Sequence, residues 1–134
     1  MKYLVFICLL LSWSASANIA VIVHPSNTSE ISRGDLNRIF SGKLGTFSNG
    51  NAIIPINQIE GSPALMRFND LVLKKNSAQM KAYWSKLVFT GKGTPPQELK
   101  NDEEVLAFVA SNPNAIGYIN PDKVNDSVKV IETF

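Results

Sequence analysis
The spacing of apolar residues changes period several times along the 134-residue chain, and each change predicts an element. Residues 19–23 are all apolar and mostly β-branched, and His24-Pro25-Ser26-Asn27 stops the run. An unbroken run of this kind reads as a strand buried on both faces, which implies a mostly parallel sheet covered by helices. Ser32 and Asp35 then have capping-box spacing, Leu36, Ile39 and Phe40 form an apolar stripe, and Gly42-Lys43 closes it. A short helix over about residues 33–41 follows from this pattern.

After the turn-rich residues 45–51, residues 52–59 read as a second strand, with Pro55 placing it at an edge or marking its start. Ser62-Pro63 supplies an N-cap and an N1 proline, and Leu65, Phe68, Leu71 and Val72 recur at helical spacing up to Lys74-Lys75. Ser77 is placed to cap the next helix, whose Met80, Tyr83, Trp84, Leu87 and Val88 make the clearest amphipathic stripe in the chain. A Gly/Pro-rich loop covers residues 90–96. Asn101 and Glu104 open a helix through Val105, Phe108 and Val109 that Pro113 prevents from continuing, and residues 115–119 and 128–131 are short strands. The order predicts one α/β domain, a single three-layer lobe with a mostly parallel sheet.

The first residues fit none of these elements. Lys2, the apolar run 4–11 and then Ala15-Ser16-Ala17 have the form of a secretory signal peptide, with a small-x-small cleavage site after Ala17. The run is shorter than the roughly 20 apolar residues that a membrane-spanning helix needs. The expected division is therefore a signal peptide over residues 1–17 and a single domain over 18–134, exported to the periplasm. Composition agrees with a globular chain, at 45% hydrophobic and 18% charged. With 13 Lys+Arg against 11 Asp+Glu the whole chain carries +2, and loss of Lys2 leaves +1. That charge is too small and too scattered for a nucleic-acid footprint. The one cysteine, Cys8, lies in the leader, so the mature domain would rest on its apolar core rather than on disulfides or a thiolate metal site.

Little in the mature sequence suggests catalysis or a cofactor. His24 is the only histidine, and the acids of the pair Glu103-Glu104 sit where a first helical turn favours negative charge. The positive signal is Glu60-Gly61-Ser62-Pro63, where a strand runs into a helix start. Free N–H groups, the positive end of the helix dipole and a cap hydroxyl there make a candidate anion site. Ser followed by Pro is also ordinary helix-starting chemistry that needs no ligand. Lys92 between two glycines resembles a backbone nest with a cation beside it, and His24, following a strand, is a candidate for the same crevice.

Four segments together resemble a known family. Ile19-Ala20-Val21-Ile22-Val23-His24, the block from Asp35 through Ser41-Gly42-Lys43, Glu60-Gly61-Ser62, and Asn112-Pro113-Asn114-Ala115-Ile116-Gly117-Tyr118-Ile119 are similar, in order over about residues 19–121, to the phosphate-binding subunits of phosphate ABC importers. The resemblance implies a periplasmic binding protein-like (type II) fold. In that family two lobes close on a dehydrated phosphate held by helix N-termini, hydroxyls, an Arg and a carboxylate that accepts the proton of hydrogen phosphate. What resembles it here is essentially the second lobe. The site also departs from the family pattern: Gln58 stands where the family has its Arg, Glu60 replaces Asp, and Ser62-Pro63-Ala64 replaces Ser-Gly-Thr.

Two functions follow as expectations. The first is a non-enzymatic, periplasmic solute-binding-like protein without cofactor or metal, holding phosphate or a similar oxyanion through Ser62, Glu60, Gly61 and Ala64, with Arg67, Lys92 and His24 as further candidates and a membrane permease as partner. The second is a periplasmic interaction module of the same fold that docks to a sensor or envelope protein, or to itself as a homodimer.

Overall fold
The computed structural model describes residues 18–134; the signal peptide expected over residues 1–17 lies outside the described residues. Five strands, β1 (Ala20–Val23), β2 (Ile54–Gln58), β3 (Gln97–Leu99), β4 (Ala115–Ile119) and β5 (Lys129–Thr133), form one sheet in the order β3-β2-β4-β1-β5. Four α-helices accompany it: α1 (Arg33–Phe40), α2 (Pro63–Phe68), α3 (Ser77–Phe89) and α4 (Asp102–Ser111). A π-helical turn, Asn69–Leu73, extends α2 and ends at Lys74 in the left-handed region.

The expected α/β lobe is present, with helices on both faces of the sheet. On one face Val21, Val23, Ile116 and Tyr118 pack against Leu36, Ile39 and Phe40 of α1 and Ala64, Leu65 and Phe68 of α2. On the other, Ile22, Ile56, Ala115 and Ile119 pack against Val105 and Val109 of α4. Gly117 faces α4, where a Cβ would lie 2.7 Å from Val105 Cγ1, so the helix seats against bare backbone at that point.

The sheet is mixed rather than mostly parallel. β2 runs parallel to β3 and β4, whereas β1 is antiparallel to both of its neighbours, β4 and β5. Helices on both faces bury a strand completely whatever its direction, so the all-apolar run that suggested a parallel strand reports layering only.

Local capping follows the sequence closely. Ser32 and Asp35 form the reciprocal capping box of α1, whose hydrogen bonds from the Ser32 backbone and hydroxyl hold the Asp35 carboxyl below its ordinary range. The cap of α3 is Asn76 rather than Ser77. Asn76 has Gln79 three residues on to return its bond, at 2.9 Å in each direction, whereas Ser77 has Met80 there. The stripe of α3 is only partly covered: Met80, Tyr83, Trp84 and Leu87 are half-buried, Val88 and Phe89 are exposed, and no α3 residue is fully buried. The helix is held by Tyr83, whose hydroxyl donates to the Ser41 carbonyl at 2.5 Å, and by Trp84, which lies over Gly42.

Candidate anion site
β3 and β2 are parallel neighbours whose ends pair Leu99 with Gln58, so the helices that follow them, α4 and α2, start at the same edge of the sheet, where the parallel strand β4 also ends. The cap of α2, Ser62, comes four residues after the end of β2. α4, capped by Asn101, begins beside it. A crevice of about 290 Å³ lies between the two starts, lined by Gln58, Ser62, Ala64, Arg67, Lys100, Asp102, Glu103 and Asn120 among others. Convergence of helix starts at the carboxyl ends of parallel strands is the usual geometry of a ligand crevice in α/β sheets.

Gln58 organises this crevice. It is 1% exposed, and its side-chain amide donates to Asp102 Oδ1 at 2.8 Å and to the Tyr118 carbonyl at 3.0 Å while its carbonyl accepts the Ser62 hydroxyl proton at 2.5 Å. The backbone N–H of Gln58 meets the Tyr118 hydroxyl at 3.1 Å, and that hydroxyl donates to Asn57 Oδ1. The paired residues of β2 and β4 end at Pro55 and Ile116, so beyond that point side chains join the strands. Burial pushes the Tyr118 phenol far above its ordinary range, against a smaller downward pull from the Gln58 backbone N–H. Its ring is fixed by a stack on Phe68, 4.0 Å between centroids, with Phe40 edge-on to both rings.

The Ser62 hydroxyl has one proton, and Gln58 takes it. Its oxygen caps α2 by accepting from Leu65 N at 3.4 Å. Among the described residues, the backbone N–H groups of Ala64 and Asp102, in the first turns of the two helices, have no protein acceptor. Arg67 and Lys100 bring positive charge to the crevice, and Asp102 and Glu103 bring negative charge. The Glu103 carboxyl is held below its ordinary range by its own backbone N–H and by Lys123, 3.4 Å away. The arrangement is that of a small polar site able to hold one compact anion through N–H donors and two cationic side chains, with a carboxylate present to accept a proton. No group of three His, Cys, Asp or Glu capable of holding a metal ion occurs among the described residues.

The residues named from sequence are divided by the fold. Ser62, Ala64 and Arg67 line the crevice. Gly61, at φ +88°, is the exposed turn that leads into it. Glu60 lines a different and larger hollow on the α3 side of β2. Lys92 lies past the end of α3, its backbone N–H bonded to the Leu87 carbonyl at 2.8 Å, and lines neither hollow. His24 is at the opposite end of the sheet: β1 is antiparallel to β4, so His24 follows Val23, the partner of Ile116, while the crevice lies beyond Ile119. Its Nδ1 is engaged locally with the Ser26 hydroxyl at 2.7 Å. Sequence reasoning missed Lys100, Asp102 and Asn120, whose nearness to Ser62 depends on β2 lying between β3 and β4.

No protein-family model matches the chain, and no curated protein matches it. Solved structures do. One, described as a phosphate ABC transporter substrate-binding protein with bound phosphate from Clostridium perfringens, has a TM-score of 0.68 at 21% identity over 86% of this chain and 44% of its own. An ABC-type phosphate transport receptor from Vibrio cholerae gives 0.59 at 16% identity over 86% and 45%. PstS from Borrelia burgdorferi gives 0.64 at 17% identity over 85% and 46%. The fold is therefore that of these binding proteins, and the chain spans less than half the length of each.

Proposed function
We propose that this chain is a periplasmic, non-enzymatic solute-binding-like protein that holds phosphate or a similar oxyanion in the crevice between the starts of α2 and α4. The observation that carries this reading is the meeting of two helix N-termini, Arg67 and Lys100 at one hollow, in a fold shared with phosphate-binding proteins. The Ala64 and Asp102 N–H groups and the two cations would bind anion oxygens. The Asp102 carboxylate, rather than Glu60, is placed to accept a proton that the anion carries, which favours hydrogen phosphate over sulfate. Residues 18–134 would act after export, and a membrane permease is the partner that a transport role implies.

Affinity in the described lobe by itself is expected to be low. The crevice is open, Gln58 replaces the Arg of the resembled family, and the Ser62 proton is already committed. A dissociation constant in about the millimolar range, or about −4 kcal/mol, is the expected scale. Isothermal titration with phosphate and with sulfate tests the reading. Phosphate should bind and sulfate bind less, and both Arg67→Ala and Lys100→Ala should abolish the heat. No heat with phosphate, or heat that survives both substitutions, would show that the crevice is not an anion site.

A further inference from the structure
We infer that the α3 side of the lobe is a self-association surface, and that a second copy of this chain occupies the hollow there. The inference is independent of the anion reading. The hollow has a volume of about 510 Å³ and lies between α3, α2 and the end of β2, with Met80, Trp84 and Val88 in its wall. Phe89, at the same rim, is 92% exposed, and Val88 is 54% exposed. A protruding ring and an apolar hollow thus sit on one face. A twofold contact requires that juxtaposition, since the same patch must supply both the knob and the hole.

Charge selects a second copy over other occupants. The rim carries Lys81 together with Glu60 and Glu98. A strongly basic or strongly acidic partner would meet one like charge or two, whereas a twofold copy can set its Lys81 against the carboxylates of this rim and receive the reciprocal pairing. The net charge of the whole chain, +2, opposes association only weakly. Among the described residues, the helix that forms the wall has an apolar stripe that its own chain leaves half-covered, so pairing completes the burial that its sequence pattern calls for.

Sedimentation equilibrium of the protein expressed from its full sequence tests this over a range of concentrations. The expected result is a reversible dimer, with Phe89→Asp raising its dissociation constant at least about tenfold and leaving the far-ultraviolet circular dichroism and melting temperature unchanged. Lys81→Glu and the double variant Glu60→Lys/Glu98→Lys should each be monomeric, and mixing the two should restore a dimer containing one of each. A monomer at the highest soluble concentration would overturn the proposal, and if that monomer binds the dye ANS in a Phe89-dependent way, the hollow takes a small apolar ligand instead. A dimer that survives Phe89→Asp with its fold intact would overturn it equally.

Discussion

Gln58→Leu is the substitution that most directly tests the organisation of the crevice. Leucine keeps the approximate volume of the side chain and removes three hydrogen bonds: to the Asp102 carboxylate at 2.8 Å, to the Tyr118 carbonyl at 3.0 Å and from the Ser62 hydroxyl at 2.5 Å. A bond to a charged group contributes about 1.5–3 kcal/mol and a neutral one about 1 kcal/mol, and a buried group left without its partner adds a desolvation cost. Asp102 is only half-buried and can regain water, so its bond counts toward the low end. Apolar burial of the leucine returns part of the loss. The net expectation is a destabilisation of about 2–4 kcal/mol, large against the total of about 5–15 kcal/mol for a domain and small enough to leave it folded. Urea unfolding followed by circular dichroism measures this for Gln58→Leu, Ser62→Ala and the pair. Because each single change strands the other's partner, the double variant should lose about 1 kcal/mol less than the sum of the singles. A loss below about 1 kcal/mol for Gln58→Leu, or strict additivity, would refute the view that Gln58 is the hub of a satisfied buried network.

Two further perturbations probe the frame around that network. Burial raises the Tyr118 phenol above its ordinary value of 10.0, so the folded state keeps it neutral where the unfolded chain would ionise. Its contribution to stability is whole below about pH 10 and is lost as pH rises further. Phenolate absorbance should therefore show one tyrosine ionising together with alkaline unfolding, and Tyr118→Phe, though less stable at neutral pH, should unfold with a weaker alkaline dependence. Complete tyrosine ionisation in a chain still folded by circular dichroism would contradict this. Gly42, at φ +77°, has Trp84 Cη2 2.9 Å from the position of a Cβ. Gly42→Ala should cost about 1–2 kcal/mol from the left-handed backbone alone, plus the displacement of Trp84, and a Trp84→Leu background should remove the second part. An unchanged thermal midpoint would rule out both.

Much of the fold was legible in the sequence because its signals are local. The Ser32–Asp35 box, the Ser62-Pro63 start and the Asn101–Glu104 cap each appear where spacing placed them. The failures are non-local. Nothing in residues 19–23 states which strands will flank them, so the direction of β1, and with it the position of His24, could not be read. β3 is three residues, Gln97-Glu98-Leu99, with no apolar alternation to mark it. Gln58 stood out only as a departure from a family pattern; its role as a connector depends on Tyr118 and Asp102, 60 and 44 residues away along the chain. The stripe of α3 was legible, but periodicity gives the direction of an apolar face and not whether the same chain covers it.

The position of β1 also bears on when the lobe can fold. Its two neighbours, β4 and β5, come from residues 115–133, and its flanking Ile19 exchanges backbone hydrogen bonds with Phe134 at 3.1 and 2.9 Å. As it leaves a ribosome, β1 therefore has no sheet partner until nearly all of the described chain has followed it. Contacts separated by about a hundred residues carry a large loop-closure cost and slow the transition. The sheet should close late and all at once, so that no part of it is complete before the last strand arrives.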